Sequence, residues 1–363
     1  MTKNNSQELK ILFISRAYPP VVGGIENQNY ELSVWLPKIS NTTTIANTHG
    51  KKFLPLFLLR LFVTLPFTVK NYDVVLLGDG VLSIVSWWIK LFHKNTKITC
   101  ITHGLDLTYK NNFYQKWWVH KFILTCDKLI AVGNQTIIEG TKRAIPKDKF
   151  IFIPNGVHPE KFICNNIAPD EIFNIIGNEH KNKKILITFG RLAKRKGVAW
   201  FIRNVLPQLP NDVLYIVAGN GPDKENIEQA IQKTNQNSKV IMLGYVEDDT
   251  RNKLFAGANL FIQPNIKVEG DMEGFGISVI EAGVSGLPVL ASELEGLKDA
   301  IKNQKNGILV NPEDPKDWKE KILYALSDNF DRQSFGLNAR KYIIENLSWQ
   351  KISKKYLDIL KNL

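Results

Sequence analysis

Residues 273–292, EGFGISVIEAGVSGLPVLAS, contain a glycine loop, a helix pattern and an apolar strand in direct succession. The GFG turn precedes GISVIEA, which has the periodicity of a short helix, and LPVLAS (287–292) is typical of a buried strand. A helix that returns at once to a continuous apolar strand indicates a parallel β-α-β unit. The stretch therefore predicts an open parallel sheet with helices packed on its faces.

Apolar strands that alternate with helix patterns occur in two sets along the 363 residues. The second set is 183–190, 213–221, 239–246, 259–264 and 287–292. The first set is 11–15, 74–78, 97–104, 128–133 and 150–156. We therefore predict an α/β protein built from two Rossmann-like, doubly wound parallel-sheet domains that face a deep cleft.

The stretch 163–182 has no strong period and contains Pro169, so we predict a linker there. The predicted domains are residues 1–165 and 166–345. A final helix within 346–363 can belong to either domain, and a return to the first domain is one of the two expectations.

Charge is unevenly distributed along the chain. Lys and Arg number 47 against 35 Asp and Glu, a net charge of +12, of which residues 1–165 carry +10. This asymmetry predicts an anionic partner for the first domain, either a membrane surface or a nucleic acid. General lysine enrichment on solvated faces is the alternative explanation.

Cysteine usage and the N-terminal residues favour a cytoplasmic protein. The three cysteines, Cys100, Cys126 and Cys164, are far apart and show no C-x-x-C spacing. This argues against a zinc site or a disulfide framework and fits a reducing compartment. Residues 1–10 are polar and lack the apolar core of a secretory signal.

The segment 51–70, KKFLPLFLLRLFVTLPFTVK, has four basic residues, no acidic ones and many Leu and Phe. It is short for a membrane span and interrupted by proline. Two interpretations stay open: a basic apolar segment in the plane of an anionic bilayer, or a helix pair packed in the first domain. The Trp pairs at 87–88 and 117–118 suit either a membrane interface or a protein core.

A glycine loop near the N-terminus is the first candidate anion site. In YPPVVGGIE (18–26), Gly23 and Gly24 follow a strand and open a helix. Glycine lets the backbone approach a ligand closely, and the free amides of a helix N-terminus favour an anion. The loop differs from the G-x-G-x-x-G pattern, so an ordinary strand-to-helix turn is an equal alternative.

A basic loop follows the first strand of the second half. In FGRLAKRKG (189–197), Arg191 and Lys196 lie at a strand end between two glycines. Arg can bind a phosphate through two N–H groups, and Lys adds a movable point charge, so the pair suits a diphosphate. We expect Lys194 and Arg195 to be the solvated members of this loop.

His103, in THGLD (102–106), follows a strand of the first half and is predicted to face the cleft. A neutral imidazole can donate or accept a hydrogen bond to a sugar hydroxyl or a developing oxyanion. A structural histidine is the alternative.

The two glutamates of EGFGISVIE bracket a predicted helix N-terminus. The amides around Phe275, Gly276 and Ile277 would point out of the helix and favour a phosphate. Glu281 lies about one turn into the helix, where its carboxylate can accept two hydrogen bonds from a ribose diol. Glu273, in the loop ahead, can do the same for the hydroxyls of a second sugar. Exposed helix-start charges are the alternative.

These segments together resemble the retaining GT-B glycosyltransferases of family 4 (group 1). The matching segments cover nearly the whole chain in the family's order: YPPVVGGIE, THG, IPNGV (153–157), GRLAKRKG, VAGNGP (217–222), LGYV and EGFGISVIEAGVSGLPVLAS. The resemblance implies GT-B architecture and transfer of a hexose or N-acetylhexosamine from a UDP- or GDP-sugar with retention at the anomeric carbon. It implies a lipid-linked or polysaccharide acceptor in lipopolysaccharide, O-antigen or capsule synthesis, at the cytoplasmic face of the inner membrane.

The resemblance also implies roles for individual residues. Arg191 and Lys196 would hold the donor diphosphate, and Gly23 and Gly24 would pack near its distal phosphate. His103 would contact the transferred sugar. The remaining donor contacts would come from Glu273 to that sugar's hydroxyls, Glu281 to the ribose, the loop Gly274, Phe275, Gly276 and Ile277, and the nucleobase segment Gly244, Tyr245 and Val246.

No D-x-D metal motif stands in the first half. The acidic stretch 247–249 is predicted to cap a helix, and Glu269 and Asp271 are further carboxylates that can reach the cleft. We expect transfer without a metal or other cofactor, because Arg191, Lys196 and helix dipoles would balance the leaving charge.

Two other functions compete with sugar transfer. A nucleotide-sugar epimerase or isomerase of related two-domain fold would use the same donor site but would need an acid and a base over the sugar ring. For that role the first half offers His103 and Asp106. A basic nucleic-acid-binding protein is the third possibility, but the lysines are dispersed and no helix-turn-helix, zinc or RNP pattern is present, so we expect no nucleic acid partner.

Overall fold

The computed structural model describes residues 8–21, 23–162 and 167–363. The chain divides into two compact units. The first unit comprises the chain up to Gly156 together with Trp349–Leu363, and the second is Val157–Ser348. The chain therefore passes from the first unit to the second after Gly156, before the predicted boundary at 165/166. That predicted boundary and Cys164 lie outside the described residues.

The first unit contains a six-stranded parallel sheet in the order β2-β1-β3-β4-β5-β6. Its strands are β1 (Lys10–Ser15), β2 (Asn41–Ala46), β3 (Val74–Leu77), β4 (Lys97–Thr102), β5 (Lys128–Ala131) and β6 (Phe150–Phe152). Strand β3 is apolar throughout and buried on both faces, as expected of a central strand covered by helices.

The second unit repeats this arrangement with strand order β12-β11-β10-β7-β8-β9, again parallel. Its strands are β7 (Lys184–Phe189), β8 (Val213–Ala218), β9 (Val240–Gly244), β10 (Leu260–Gln263), β11 (Val289–Ser292) and β12 (Ile308–Val310). The prediction of two doubly wound parallel sheets is confirmed.

Helices connect the strands in both units. In the first unit they are α1 (Gly24–Trp35), α2 (Leu54–Thr68), α3 (Ser83–Phe92), α4 (Leu105–Thr108), α5 (Asn112–Tyr114, continued by a π-helical stretch Gln115–Phe122), α6 (Asn134–Thr141) and the terminal helix. In the second they are α7 (Phe173–Ile176), α8 (Val198–Asn204), α9 (Lys224–Lys233), α10 (Asp248–Gly257), α11 (Ile277–Val284), α12 (Leu297–Ala300), α13 (Pro315–Leu326) and α14 (Arg332–Leu347). The terminal helix is α15 (Trp349–Lys361).

Helix α15 completes the first unit. The Nε2 of Gln28 on α1 donates a buried hydrogen bond to the hydroxyl of Tyr356, at 2.9 Å. The ring of Trp349 lies directly under Gly156, where an added Cβ would collide with it. The structure thus groups the terminal helix with the first unit.

The sequence prediction of a linker at 163–182 is wrong for its described part. Pro169–Ile172 forms a 3-10 turn that continues into α7, and Ile172 and Ile176 are buried. Ile172 packs against Gly257 at the end of α10. Apolar residues four positions apart therefore fold this segment into the second unit.

Helix α2 lies within the segment 51–70. Its residues Phe57, Leu61 and Leu65, spaced four apart, are buried in the core of the first unit. Burial of three such side chains contributes roughly 1.5–3 kcal/mol each. The interpretation that segment 51–70 packs in the core of the first unit is thus right for one face of α2. The segment forms one main helix rather than the helix pair of that interpretation.

Candidate functional site

The basic loop after β7 is fixed by backbone contacts. Gly197 has φ +67°, a left-handed conformation that glycine adopts without strain, and an added Cβ would collide with the carbonyl oxygen of Pro264. The amide of Ile266 donates to the carbonyl of Arg195 at 2.9 Å. These contacts join the loop to the segment after β10 and set the position of Lys196.

Lys196 and Glu273 form a buried ion pair in the second unit. Lys196 Nζ lies 2.6 Å from Glu273 Oε2, and the side chains are 11% and 10% exposed. Asn265 Nδ2 donates to the same oxygen at 3.3 Å. Burial acts to raise the pKa of Glu273, but the charges of Lys196 and Arg195 and these hydrogen bonds outweigh it and hold the pKa below its usual range. The carboxylate is therefore ionised at neutral pH.

Arg195 corrects the sequence prediction for this loop. Its guanidinium NH1 lies 3.2 Å from both carboxylate oxygens of Asp271, and its Nε lies 3.6 Å from Glu273. The side chain is only 19% exposed, so it is a structural partner of the carboxylates rather than a solvated residue. Lys194 is exposed, as predicted.

Arg191 is exposed, unlike Arg195 and Lys196, and among the residues that the structure describes no side chain pairs with its guanidinium. An unpaired guanidinium beside a buried Lys–Glu pair leaves five N–H donors available to an external anion. Arg191 and Lys196 lie in the same loop, so the structure brings these two predicted residues and Glu273 into one part of the second unit.

Glu295 is a functional candidate that the sequence did not indicate. Its Oε2 accepts the backbone N–H of Glu273 at 2.6 Å, and the N–H of Gly296 donates to the Glu273 carbonyl at 3.1 Å. The loop after β11 thus holds both backbone polar groups of Glu273. Burial and the nearby Glu273 carboxylate raise the pKa of Glu295 to about 6, although the Glu273 N–H acts in the opposite direction.

This raised pKa predicts a pH dependence of stability. Folded Glu295 binds a proton more tightly than the unfolded residue, whose pKa is 4.5. The stabilisation of the folded state by protonated Glu295 is therefore lost as pH rises from 4.5 through about 6. Glu295→Gln keeps an oxygen for the Glu273 N–H but cannot ionise. Thermal unfolding from pH 4 to 7.5 should therefore show a smaller decline for Glu295→Gln than for the wild type. Parallel pH curves would contradict this assignment.

The predicted helix N-terminus is present at α11. Gly276 precedes the helix with φ +93°, in the left-handed region, and Ile277 is the first helical residue. Phe275 is buried and Gly274 half-buried. Glu281 lies one turn into α11 and is half-buried; burial raises its pKa, and Arg251 opposes this effect. Its ribose contact stays a prediction.

The predicted nucleobase segment lies at the end of β9. Gly244 has φ +67°, and its carbonyl accepts the N–H of Gly219 at 2.6 Å. Tyr245 is 74% exposed and Val246 half-buried. An exposed aromatic ring after a strand is available to a planar ligand, and the assignment to a nucleobase stays a prediction.

The remaining predicted residues belong to the first unit. Gly23 precedes α1 and Gly24 is its first residue. His103 follows β4, and its backbone N–H donates to the carboxylate of Asp106 at 3.0 and 3.1 Å. Its Nε2 lies 3.1 Å from the carbonyl of Gly78, an acceptor, so Nε2 carries the proton. A neutral ring then leaves Nδ1 as an acceptor.

Asp106 is buried beside His103. It also accepts the N–H of Gly80 at 3.0 Å. Burial raises its pKa against the lowering effects of His103 and of these hydrogen bonds. Its oxygens are thus engaged by backbone amides, which suits a residue that holds the turn after β4.

The carboxylates do not assemble into a metal-ligand group in the described ranges 8–21, 23–162 and 167–363. The stretch 247–249 stands at the start of α10, where Asp248 pairs with Arg251 at 2.7 Å.

The sequence analysis missed three residues that contact Glu273: Arg195 as an ion-pair partner, Asn265 as a hydrogen-bond donor and Glu295 as an acceptor of its backbone N–H. Asn265 was detectable in principle, because it follows β10 at the same sheet edge as the basic loop. Glu295 follows β11 at that edge as well, but the surrounding ELEGLKD gave no pattern that distinguishes it from other surface acids.

Two family models match the chain. Residues 24–161 match the model described as Glycosyltransferase Family 4, and residues 170–342 match Glycosyl transferases group 1. An uncharacterized glycosyltransferase from Methanocaldococcus jannaschii is 33% identical over 221 residues, which cover 60% of this chain and 55% of that protein. A capsular polysaccharide biosynthesis glycosyltransferase from Staphylococcus aureus is 26% identical over 214 residues, covering 57% and 54%. The chain thus aligns with about half the length of these relatives.

A solved structure shares the fold over nearly its whole length. Anabaena HepE, crystallised with UDP and glucose, superposes with a TM-score of 0.75 at 18% identity, covering 98% of this chain and 100% of that one. With the paired parallel sheets and the matches to both halves, the chain belongs to the group 1 glycosyltransferases of family 4, with the GT-B fold.

Proposed function

We propose that this glycosyltransferase moves a hexose or N-acetylhexosamine from a UDP- or GDP-sugar to a lipid-linked or polysaccharide acceptor, with retention of anomeric configuration. The observation that carries the proposal is the buried pair of Lys196 with Glu273, together with Arg191, which lies in the same loop as Lys196, is exposed and has no side-chain partner among the described residues. A capsular polysaccharide enzyme among its relatives supports a role in envelope glycan synthesis, such as lipopolysaccharide, O-antigen or capsule.

In this proposal the cations stabilise the leaving diphosphate. Arg191 binds phosphate oxygens through two N–H groups, which are available because its exposed guanidinium has no carboxylate partner among the described residues. Lys196, whose charge is shared with Glu273 at 2.6 Å, adds its remaining N–H donors from a site that is nearly closed to water. The free backbone N–H groups at the start of α11, the positive end of the helix dipole, add further stabilisation of the phosphate charge. Turnover then needs no metal, which EDTA treatment tests directly.

Glu273 would orient the transferred sugar. Its lowered pKa keeps it an acceptor for hydroxyl groups, and Lys196, Asn265 and Glu295 fix its position. A carboxylate neutralised by Lys196 and Arg195 is a weak nucleophile, so a double displacement through Glu273 is disfavoured. Retention would follow from attack on the same face as the leaving group, with the departing phosphate accepting the acceptor's proton.

The first test is thermal unfolding with a panel of UDP-, GDP- and ADP-sugars. A donor at a concentration 100 times its Kd stabilises the folded state by about 2.7 kcal/mol. We expect a shift with UDP- or GDP-sugars, and Arg191→Ala should reduce it. Anabaena HepE was solved with UDP, which makes UDP-sugars the first compounds to test.

The second test separates transfer from the competing activities. Donor incubated alone should stay chemically unchanged, whereas a change in the sugar configuration would indicate an epimerase. Donor plus a lipid-linked oligosaccharide should give a glycosylated product with the donor's anomeric configuration, read by NMR. No shift with any donor, together with a salt-sensitive gel shift on short nucleic acids, would refute the proposal.

A further inference from the structure

Helix α2 has apolar side chains on two opposite faces. Phe57, Leu61 and Leu65 are buried in the core of the first unit. The opposite face carries Leu56, Leu59, Val63 and Phe67, whose spacing of three, four and four residues places them along one side of the helix. Phe53 lies in the turn just before the helix. These five large apolar side chains, which we call the outer face of α2, are 50–74% exposed, and so many in one short segment are unusual for a surface that faces only water.

The apolar surface continues onto the end of α3. Leu91 and Phe92 are 52% and 55% exposed. The ring of Trp88 contacts Phe92 at 5.1 Å and Phe62 at 5.4 Å between centroids, so the two helices share one aromatic cluster. The outer face of α2 is therefore part of a wider apolar patch.

Basic residues frame this patch. Lys51, Lys52, Arg60 and Lys70 are all exposed, and the segment 51–72 contains no acidic residue. Lys and Arg near an anionic surface each strengthen association, and their long side chains can reach headgroups while the apolar neighbours insert. Exposed apolar side chains flanked by basic residues, with no acidic residue between them, fit the boundary between headgroups and acyl chains of an anionic bilayer.

By length and composition, Lys51–Asn71 is long and apolar enough to cross a membrane. Crossing would remove Phe57, Leu61 and Leu65 from the core. It would also break the hydrogen bond from Trp88 Nε1 to the carbonyl of Phe62, at 2.9 Å. That carbonyl lacks its usual helical partner, because Pro66, four residues later, has no N–H. The helix is thus built to stay attached to the first unit.

We propose that the outer face of α2 docks the protein onto an anionic bilayer, with the helix lying in the membrane plane and its inner face kept in the core. Phe53, Leu56, Leu59, Val63 and Phe67 enter the boundary between headgroups and acyl chains, and Lys51, Lys52, Arg60 and Lys70 contact anionic headgroups. The tryptophans at 87–88 and 117–118 are half-buried. The indole N–H of Trp88 donates to the carbonyl of Phe62, and that of Trp118 donates to the carbonyl of Val81, each at 2.9 Å, so these two polar groups are already bonded within the first unit. This binding is independent of donor chemistry and stands apart from the proposed transfer.

Co-sedimentation of the full chain with vesicles tests the proposal. Vesicles of phosphatidylcholine with 30 mol% phosphatidylglycerol, about a third anionic lipid, should bind the protein, and pure phosphatidylcholine should bind it far less. Leu59→Ser combined with Val63→Ser should lower the partition coefficient at least about tenfold, because two apolar side chains no longer insert. Lys51→Gln, Lys52→Gln and Arg60→Gln should each lower it about fivefold.

Matched controls lie on the second unit. Tyr324→Ser with Leu337→Ser removes two side chains of similar exposure, and Lys305→Gln removes an exposed charge; both should bind like the wild type. Equal loss in these controls, or no binding to anionic vesicles, would overturn the proposal. Sedimentation velocity without lipid adds a further outcome: a dimer that Leu59→Ser with Val63→Ser dissociates would show that a second copy covers this face instead. Resistance to carbonate extraction would show a spanning helix and would also overturn it.

Discussion

Arg191→Ala should lower kcat/KM for sugar transfer by a factor of about 10²–10³, while the thermal unfolding midpoint stays at the wild-type value. The activity falls because a preorganised phosphate partner is lost where negative charge develops on the leaving group. Stability is unchanged because the guanidinium is exposed and has no partner among the described residues. Initial rates with radiolabelled donor, together with circular dichroism melting, measure both quantities.

Lys194→Ala is the matched control for this prediction. Lys194 is an exposed cation in the same loop and carries no assigned role. It should keep activity within about threefold of the wild type, the loss expected when one surface charge is removed. Full activity of Arg191→Ala, or an equal loss in both variants, would remove Arg191 from the donor site.

Lys196→Met should destabilise the second unit by about 3–5 kcal/mol, because it leaves the Glu273 carboxylate buried with Arg195 as its remaining cation partner at 3.6 Å. For a unit of this size the melting midpoint should fall by roughly 6–20 °C. The difference from the wild type should be full above pH 4.5 and shrink below it, since the folded pKa of Glu273 is lowered and the pair loses its value when Glu273 is protonated. Differential scanning calorimetry from about pH 2.5 to pH 8 measures this, since the loss falls below pH 4.5.

The double variant Lys196→Met with Glu273→Gln distinguishes an unpaired charge from a packing defect. Removal of both charges should recover most of the lost stability, so the two single effects should not add. Additive losses would show that the two side chains act independently. Sugar transfer should stay impaired in the double variant, since the carboxylate that orients the sugar is gone.

Periodicity predicted the two sheets because their central strands are continuous apolar runs, which a parallel sheet buried on both faces requires. Strands β2 and β12 were missed although the other two edge strands, β6 and β9, were predicted. Strand β2, NTTTIA, is polar and partly exposed, and β12 has only three residues, so neither forms an apolar run that a sequence window detects. Such strands are selected by pairing with a neighbour rather than by their own hydrophobicity.

For the site, spacing placed Arg191, Lys196 and Glu273 near strand ends, and the structure shows Lys196 and Glu273 in direct contact. Contacts that come from tertiary structure were not predictable. Glu295 meets the backbone of Glu273 across 22 residues, and Arg195 meets Asp271 across 76. Such pairings depend on where two loops converge, which sequence spacing does not encode.

The dependence of the first unit on α15 has a consequence for biosynthesis. Residues up to Gly156 leave the ribosome long before Trp349–Lys361, while the second unit is contiguous and can fold as soon as it emerges. The partners of Tyr356 and Trp349 must therefore wait, partly solvated, until the second unit and then these two residues have been translated. A released chain that ends at residue 348 should hold a protease-resistant second unit attached to a protease-sensitive first one.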